Sequence, residues 1–258
     1  MAPACRRDIP GISTVRRFDH ESFPRPARDT QADAILHRTG LFTNPYFTTL
    51  ADGSMSKDIF RATQEQFFFA VRHFPRPMAA LISRMPDPAL RLDILRNLVE
   101  EHGEFRESQF HQNTFHKFLT SLDGSRPDLA GAVIAPAVHA FNSILMAACA
   151  TDELDIGICC MGIIEKAFAD ISAMIGKAVV ERGWVPAAEL VHYNLHAELD
   201  VRHADEFFAV VESGWDHPRR RIAIEQGLEL GAYAFDQLYR GLMTPRSPSP
   251  ATEFISAL

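Results

Sequence analysis

Apolar residues recur along this chain at intervals of three and four, and no segment shows the strict alternation of a strand. The pattern predicts helices from end to end. SKDIFRATQEQFFFAVRHF sets Ile, Phe and Val at helical spacing behind Ser56, a good N-cap residue. PRPMAALISRM continues beyond a proline, so a kink is expected near Pro75 to Pro77. DPALRLDILRNLVEEHGEFRESQFHQNTFHKFLTSLDG reads as one long third helix. Asp87 would cap it, Pro88 would open it and Gly124 would stop it, with Gly103 as an internal weak point. PDLAGAVIAPAVHAFNSILMAACA is a fourth helix with a proline inside. TDELDIGICCMGIIEKAFADISAMIGKAVVERG is the fifth, opening on a capping-box-like sequence at Thr151 and ending at Gly183. The sixth runs from Pro186 to Gly214 and the seventh is HPRRRIAIEQGLELGAYAFDQLYRGLM. The expected fold is all-α, a single domain of about seven helices over residues 30–243. Residues 1–29, rich in Pro, Arg and Asp, read as a flexible N-terminal arm, and 244–258 as a proline-rich tail.

Composition narrows the functional classes. The chain has 258 residues, 47% apolar and 23% charged, enough to bury a sizeable core. A net charge of −7 argues against a nucleic-acid partner, which would want a basic face. No stretch of 18 apolar residues lacks a charge or a break, so no membrane span is expected. The N-terminus has arginines but no apolar core of a secretory signal. The four cysteines form no CxxC pair, which suits a reduced, cytoplasmic protein. There is no GxSxG, GxGxxG or Walker loop.

The informative residues are polar ones in apolar helices. In HAELDVRH, the residues His196, Asp200 and His203 stand at i, i+4 and i+7 and share one helix face. Imidazole and carboxylate together are a ligand set for iron; the bland reading is a solvated stripe. Glu165 sits in the middle of the apolar fifth helix, where an unpaired carboxylate would be costly. It either shares one exposed stripe with Asp155 and Glu181 or is a core carboxylate. The third helix adds Glu100, Glu101, His102, Glu104, Glu107, His111 and His116, most of them expected at the surface. On a regular helix Glu104 and His111 lie about 20° apart and Glu101 and His111 about 80° apart. Glu101 and His111 would converge only if the helix unwinds near Gly103. His192, one turn before His196, is expected to be structural or to support the ligands. Bundle-core carboxylates and histidines are how diiron proteins hold metal.

With these residues in view, the chain resembles the haem-oxygenase-like diiron oxidases and oxygenases, relatives of the PQQ-synthesis oxidase and of thiaminase-like folds. The likeness rests on EEHGEFRESQFH, on Glu165, on HAELDVRH and on the approach FPRPMAALISRMPDPALRLDILRNLVEEHG. It covers roughly residues 35 to 240. It implies a haem-oxygenase-like bundle with metal ligands Glu101, His111, Glu165, His196, Asp200 and His203. Glu104 is the alternative first carboxylate; Glu101 is preferred because EEHG matches as a unit. It further implies two Fe(II) ions, O2 as co-substrate and a small-molecule substrate, an amino acid or a derivative. An external electron donor and a homodimer are compatible with it. The expected reaction is oxidation of an aliphatic C–H bond, giving desaturation, C–C cleavage or ring closure. The alternatives are an amine N-oxygenase on the same site and a metal-free helical binding protein. Arg202 and Arg76 are the candidates for gripping a substrate carboxylate.

Overall fold

In the computed structural model, residues 27–123, 127–129 and 131–244 are described. Among them the chain forms ten α-helices and no strand. They are α1 (Ala27–Thr39), α2 (Pro45–Asp52), α3 (Lys57–His73), α4 (Pro75–Arg84), α5 (Arg91–Glu101), α6 (His111–Asp123), α7 (Pro136–Ala150), α8 (Leu154–Glu181), α9 (Val191–Val211) and α10 (Pro218–Leu242). The all-α expectation holds. The number exceeds seven because α1 and α2 precede the first helix read from the pattern, and because the long third helix is really two, α5 and α6. Residues 1–26 of the expected arm, the expected stop at Gly124 and residues 245–258 of the tail lie outside the described residues.

Helix ends follow local chemistry. The Ser56 hydroxyl accepts from the Ile59 amide at 3.3 Å and caps α3. The chain breaks at Phe74 and restarts at Pro75, since proline cannot donate into a continuing helix. Three expectations shift. Pro136 opens α7 instead of interrupting it, because the first helical position needs no N–H partner. The Asp87 carboxylate accepts from the Ala89 amide at 2.8 Å and holds a turn ahead of α5, which begins at Arg91. Thr151 donates to the Ala147 carbonyl at 2.7 Å and so finishes α7; α8 starts after Glu153. Gly183, with φ +64°, ends α8 as expected.

The spine of the fold is α8, buried on most sides, with α9 and α10 packed along it. Two glycines one turn apart on α10 set the closeness of that packing. A Cβ at Gly227 would lie 2.4 Å from the Ile156 carbonyl oxygen, and one at Gly231 2.5 Å from that of Cys160. Only a residue without a Cβ allows the backbones this near. Arg220 clamps Asp155 through two bonds, 2.8 and 2.9 Å, and ties the start of α10 to the start of α8. Cys149, Cys159 and Cys160 are buried free thiols; burial pushes that of Cys149 up to about 12. At the other end Asn44 caps α2 through the Tyr46 amide and donates to the Asp236 carboxylate at 2.8 Å, which fastens α2 to α10. Among the described residues no helix is long and apolar enough to cross a membrane.

Candidate metal centre

The middle of the bundle collects six polar side chains that a hydrophobic core would otherwise exclude. Glu101, His111, Glu165, His196, Asp200 and His203 are each 5% exposed or less. Four come from continuous helix. On α9 the regular spacing puts His196, Asp200 and His203 on one face, turned toward Glu165 of α8. Ligand-type atoms of Glu165, Asp200 and His203 all lie within 4.8 Å of one another. His196 Nδ1 stands 3.0 Å from both oxygens of Asp200.

The other two arrive by a break. After Glu101 the chain leaves the helix with three consecutive positive φ angles, at Gly103 (+54°), Glu104 (+49°) and Phe105 (+66°). It passes two short 3-10 turns, Gly103–Phe105 and Glu107–Gln109, and re-enters helix at His111. Gly103 is obligatory in this path: a Cβ there would sit 2.5 Å from the Gln109 backbone. The detour brings Glu101 Oε1 to 2.9 Å from His111 Nδ1, and the His111 and His196 rings to 4.5 Å between centroids. Unwinding at Gly103 thus lets residues ten apart in sequence meet. Glu104, turned out by the same break, is exposed and pairs with Arg106 at 3.1 Å.

A surrounding shell orients these groups. Glu100 accepts from His203 Nε2 at 2.7 Å and from Arg202 at 2.6 Å. With Nε2–H thus engaged, His203 turns Nδ1 inward, 3.4 Å from Asp200 Oδ1 and 3.9 Å from Glu165 Oε2. Asn97 donates to Glu165 Oε1 at 3.1 Å. Thr114 meets His192 Nδ1 at 3.0 Å. Glu100, Asn97 and Thr114 escape sequence reasoning because their role depends on partners from other helices. The one available hint is that Asn97 and Glu101 lie one turn apart.

The charges are strongly interdependent. Burial raises Glu165 well above the ordinary carboxylate range, and the Asp200 charge adds to it. Burial would also lift Glu101, but His111 outweighs it and holds that carboxyl below its usual value. Burial would depress His203, yet Asp200, Glu165 and Glu100 hold it up at about 10. Asp200 is kept low, against burial, by His196 and His203. Among the cluster's imidazole nitrogens, His196 Nε2 is buried with no polar partner, His203 Nδ1 has only the long contacts to Asp200 and Glu165, and His111 Nδ1 has only the Glu101 carboxylate. Buried polar atoms are normally paired. A cation among three carboxylates and three imidazoles would satisfy His196 Nε2, give His203 Nδ1 a close partner and balance the acids, so the residues fit iron.

Beside the cluster lies a cavity of about 40 Å³ that opens toward solvent. Glu101, Glu165, His192 and His196 form its polar side; Phe67, Phe74, Phe141, Phe168 and Phe235 line much of the rest. Neither arginine expected to grip a substrate lines it. Arg202 is held by Glu100 and by Glu206 at 3.0 Å. Arg76 lines a separate outer groove between α3–α4 and α7, with Arg72 and His73.

Known proteins agree with this picture. The sequence model for iron-containing redox enzymes matches residues 61–235. A 4-aminobenzoate synthase of Chlamydia muridarum is 24% identical over 183 residues, covering 70% of this chain and 76% of that protein. The 4-aminobenzoate synthase of Nitrosomonas europaea is 22% identical over 205 residues, covering 75% and 82%. Among solved structures, a CADD-like protein of unknown function from Nostoc punctiforme superposes with a TM-score of 0.67 at 12% identity, covering 84% of this chain and 96% of that one. A domain of unknown function with a haem oxygenase-like fold from Shewanella denitrificans gives 0.63 at 17%, covering 83% and 89%. The fold is therefore the haem-oxygenase-like bundle.

Proposed function

Because this chain belongs to the family of iron-containing redox enzymes, we propose that it is an O2-dependent non-haem diiron oxidase acting in a biosynthetic pathway. The observation that carries the reading is the buried set Glu101, His111, Glu165, His196, Asp200 and His203, three carboxylates and three imidazoles converging in the core with His196 Nε2 left without a partner. These six would hold two Fe(II) ions. When bound, the irons supply the electrons that reduce O2 and the oxidising power for the substrate. The chain supplies the rest. Glu100 fixes the ring of His203 and Asn97 fixes the carboxylate of Glu165. The phenylalanines of the cavity keep water away and receive the apolar part of a small substrate.

Oxidation of a C–H bond is the reaction this setting favours. The cavity wall adds no acidic group beyond the ligand set, and no arginine or lysine to hold an amino acid's carboxylate. A second reading draws on the relatives named for 4-aminobenzoate synthesis and on the aromatic lining: the product would be an aromatic amine of that kind.

Anaerobic loading with Fe(II) tests the core of the proposal. The expected result is about two irons per chain, followed by O2 uptake that quickens with a productive substrate. No bound iron would leave a metal-free helical binding protein. Rescue of a strain that cannot make 4-aminobenzoate would select the second reading, and product analysis separates carbon from nitrogen oxidation.

A further inference from the structure

His192 is the buried imidazole that the metal cluster leaves over. It lies one turn before His196 on α9, has no exposed surface and lines the inner cavity. Its proton can be placed by counting. Thr114 Oγ1 stands 3.0 Å from His192 Nδ1 and 3.0 Å from the His111 carbonyl oxygen. A hydroxyl has one hydrogen to give. If it points at the carbonyl, the oxygen is free to accept Nδ1–H, and both contacts are hydrogen bonds. If it points at Nδ1, the carbonyl contact is lost and the ring carries a buried, unpaired Nε2–H. The first arrangement makes one more bond and strands no donor. It leaves a bare lone pair on Nε2, an atom that has no partner in the fold. A second proton on Nε2 would strand a buried charged donor, so the ring is a neutral acceptor.

The cavity's other polar atoms, on Glu101, Glu165 and His196, belong to the metal cluster. Among the polar side chains that line the cavity, His192 is thus the one whose free acceptor no ligand role accounts for. We infer that it receives the substrate, and that the cavity takes a molecule with an apolar body and one N–H or O–H donor: a neutral amine, amide or hydroxyl compound. A donorless analogue of the same shape would leave the acceptor buried and unpaired, which is a strong basis for discrimination. The word substrate rests on the oxidase reading above. The selectivity itself is a property of the cavity and is measurable without metal.

The probes are 4-fluoroaniline and 4-fluorotoluene, close in shape and differing in the N–H donor, followed by fluorine NMR. Their dissociation constants are measured for the metal-free wild type, His192→Phe and Thr114→Val, and iron is counted in each protein after Fe(II) loading. We expect His192→Phe to weaken 4-fluoroaniline about five- to tenfold, the loss of one buried hydrogen bond, and to leave 4-fluorotoluene within about twofold. Thr114→Val, which frees the tautomer, should give a smaller loss in the same direction and serves if the phenylalanine variant does not fold. Both variants should bind as much iron as wild type. Equal changes for both probes, no change for either, or no entry of either into the wild-type cavity would overturn the inference. So would loss of iron from His192→Phe, because Nε2 would then be a ligand. If wild type binds no iron but selectivity moves as expected, the acceptor assignment stands and the oxidase reading fails.

Discussion

The two halves of the metal centre are built by different means. On the α8–α9 side, four ligands stand on unbroken helix, and their convergence follows from 3.6 residues per turn and from two helices packed side by side. On the α5–α6 side, Glu101 and His111 meet only because three residues in the left-handed region interrupt what would otherwise be one helix. The first half is held by the whole core; the second is held by one short detour. One polar cluster can thus combine a rigid side with a side whose geometry depends on a few backbone angles.

Substitutions can break this contrast. The largest effect is expected from the rigid half. His203→Ala should remove one iron and lower activity by more than about 100-fold, beyond the 10–100-fold cost typical of an outer partner, while circular dichroism stays helical. Full iron occupancy with turnover would take His203 out of the ligand set. Glu100→Gln, which touches the same ring from outside, belongs within that 10–100-fold range; unchanged kinetics would show that Glu100 does not orient it. In the other half, Gly103→Ala adds a Cβ against the Gln109 backbone at positive φ. Its cost should be about 2–3 kcal/mol, read from the urea midpoint, and Glu101 should part from His111. A variant as stable as wild type would mean the detour is not tied to glycine.

Acidity sharpens the comparison further. In metal-free protein His203 is held up at about 10, above its ordinary 6.5, and Glu165 is raised well above 4.5. Both bind a proton more tightly folded than unfolded. Their stabilisation is present below the unfolded values and is lost as pH rises through the folded ones. Glu101 has the opposite sign: its depressed pKa stabilises above about 4.5 and is lost as pH falls. Melting temperature should therefore decline from pH 6.5 toward 10 as His203 and His111 lose their protons, and below pH 4.5 as Glu101 and Asp200 gain them. Fe(II), which replaces protons on the ligands, should flatten the alkaline limb; an unchanged limb with iron bound would contradict the assignment. The smallest effect is expected for Glu104→Ala, within about 0.5 kcal/mol and with full iron content, because that carboxylate faces solvent.

What the sequence made legible follows the same division. His196, Asp200 and His203 were readable because a regular helix turns spacing into direction, and Glu165 because a lone acid in an apolar run is anomalous. The preference for Glu101 over Glu104 rests, in the sequence, on the EEHG resemblance alone; its physical reason is the break, at which Gly103 only hints. Helix α2 was missed although Asn44 followed by Pro45 is a cap-and-start signal. Arg202 and Arg76 stand away from the inner cavity for a plainer reason: what a long charged side chain reaches depends on neighbouring helices, as Arg202 reaches Glu100 of α5, and spacing along its own helix does not name it.

The connector from Gly103 to Phe110 also has a bearing on how such a chain can change length. One residue inserted into α9 between His196 and His203 would rotate everything beyond it by about 100° and carry His203 out of the centre. A residue added to the connector at its exposed positions, away from the Gly103–Gln109 contact, would leave the phase of α5 and of α6 unchanged. Length variation in this protein is therefore free to accumulate in one spacing of its ligand pattern and forbidden in the other.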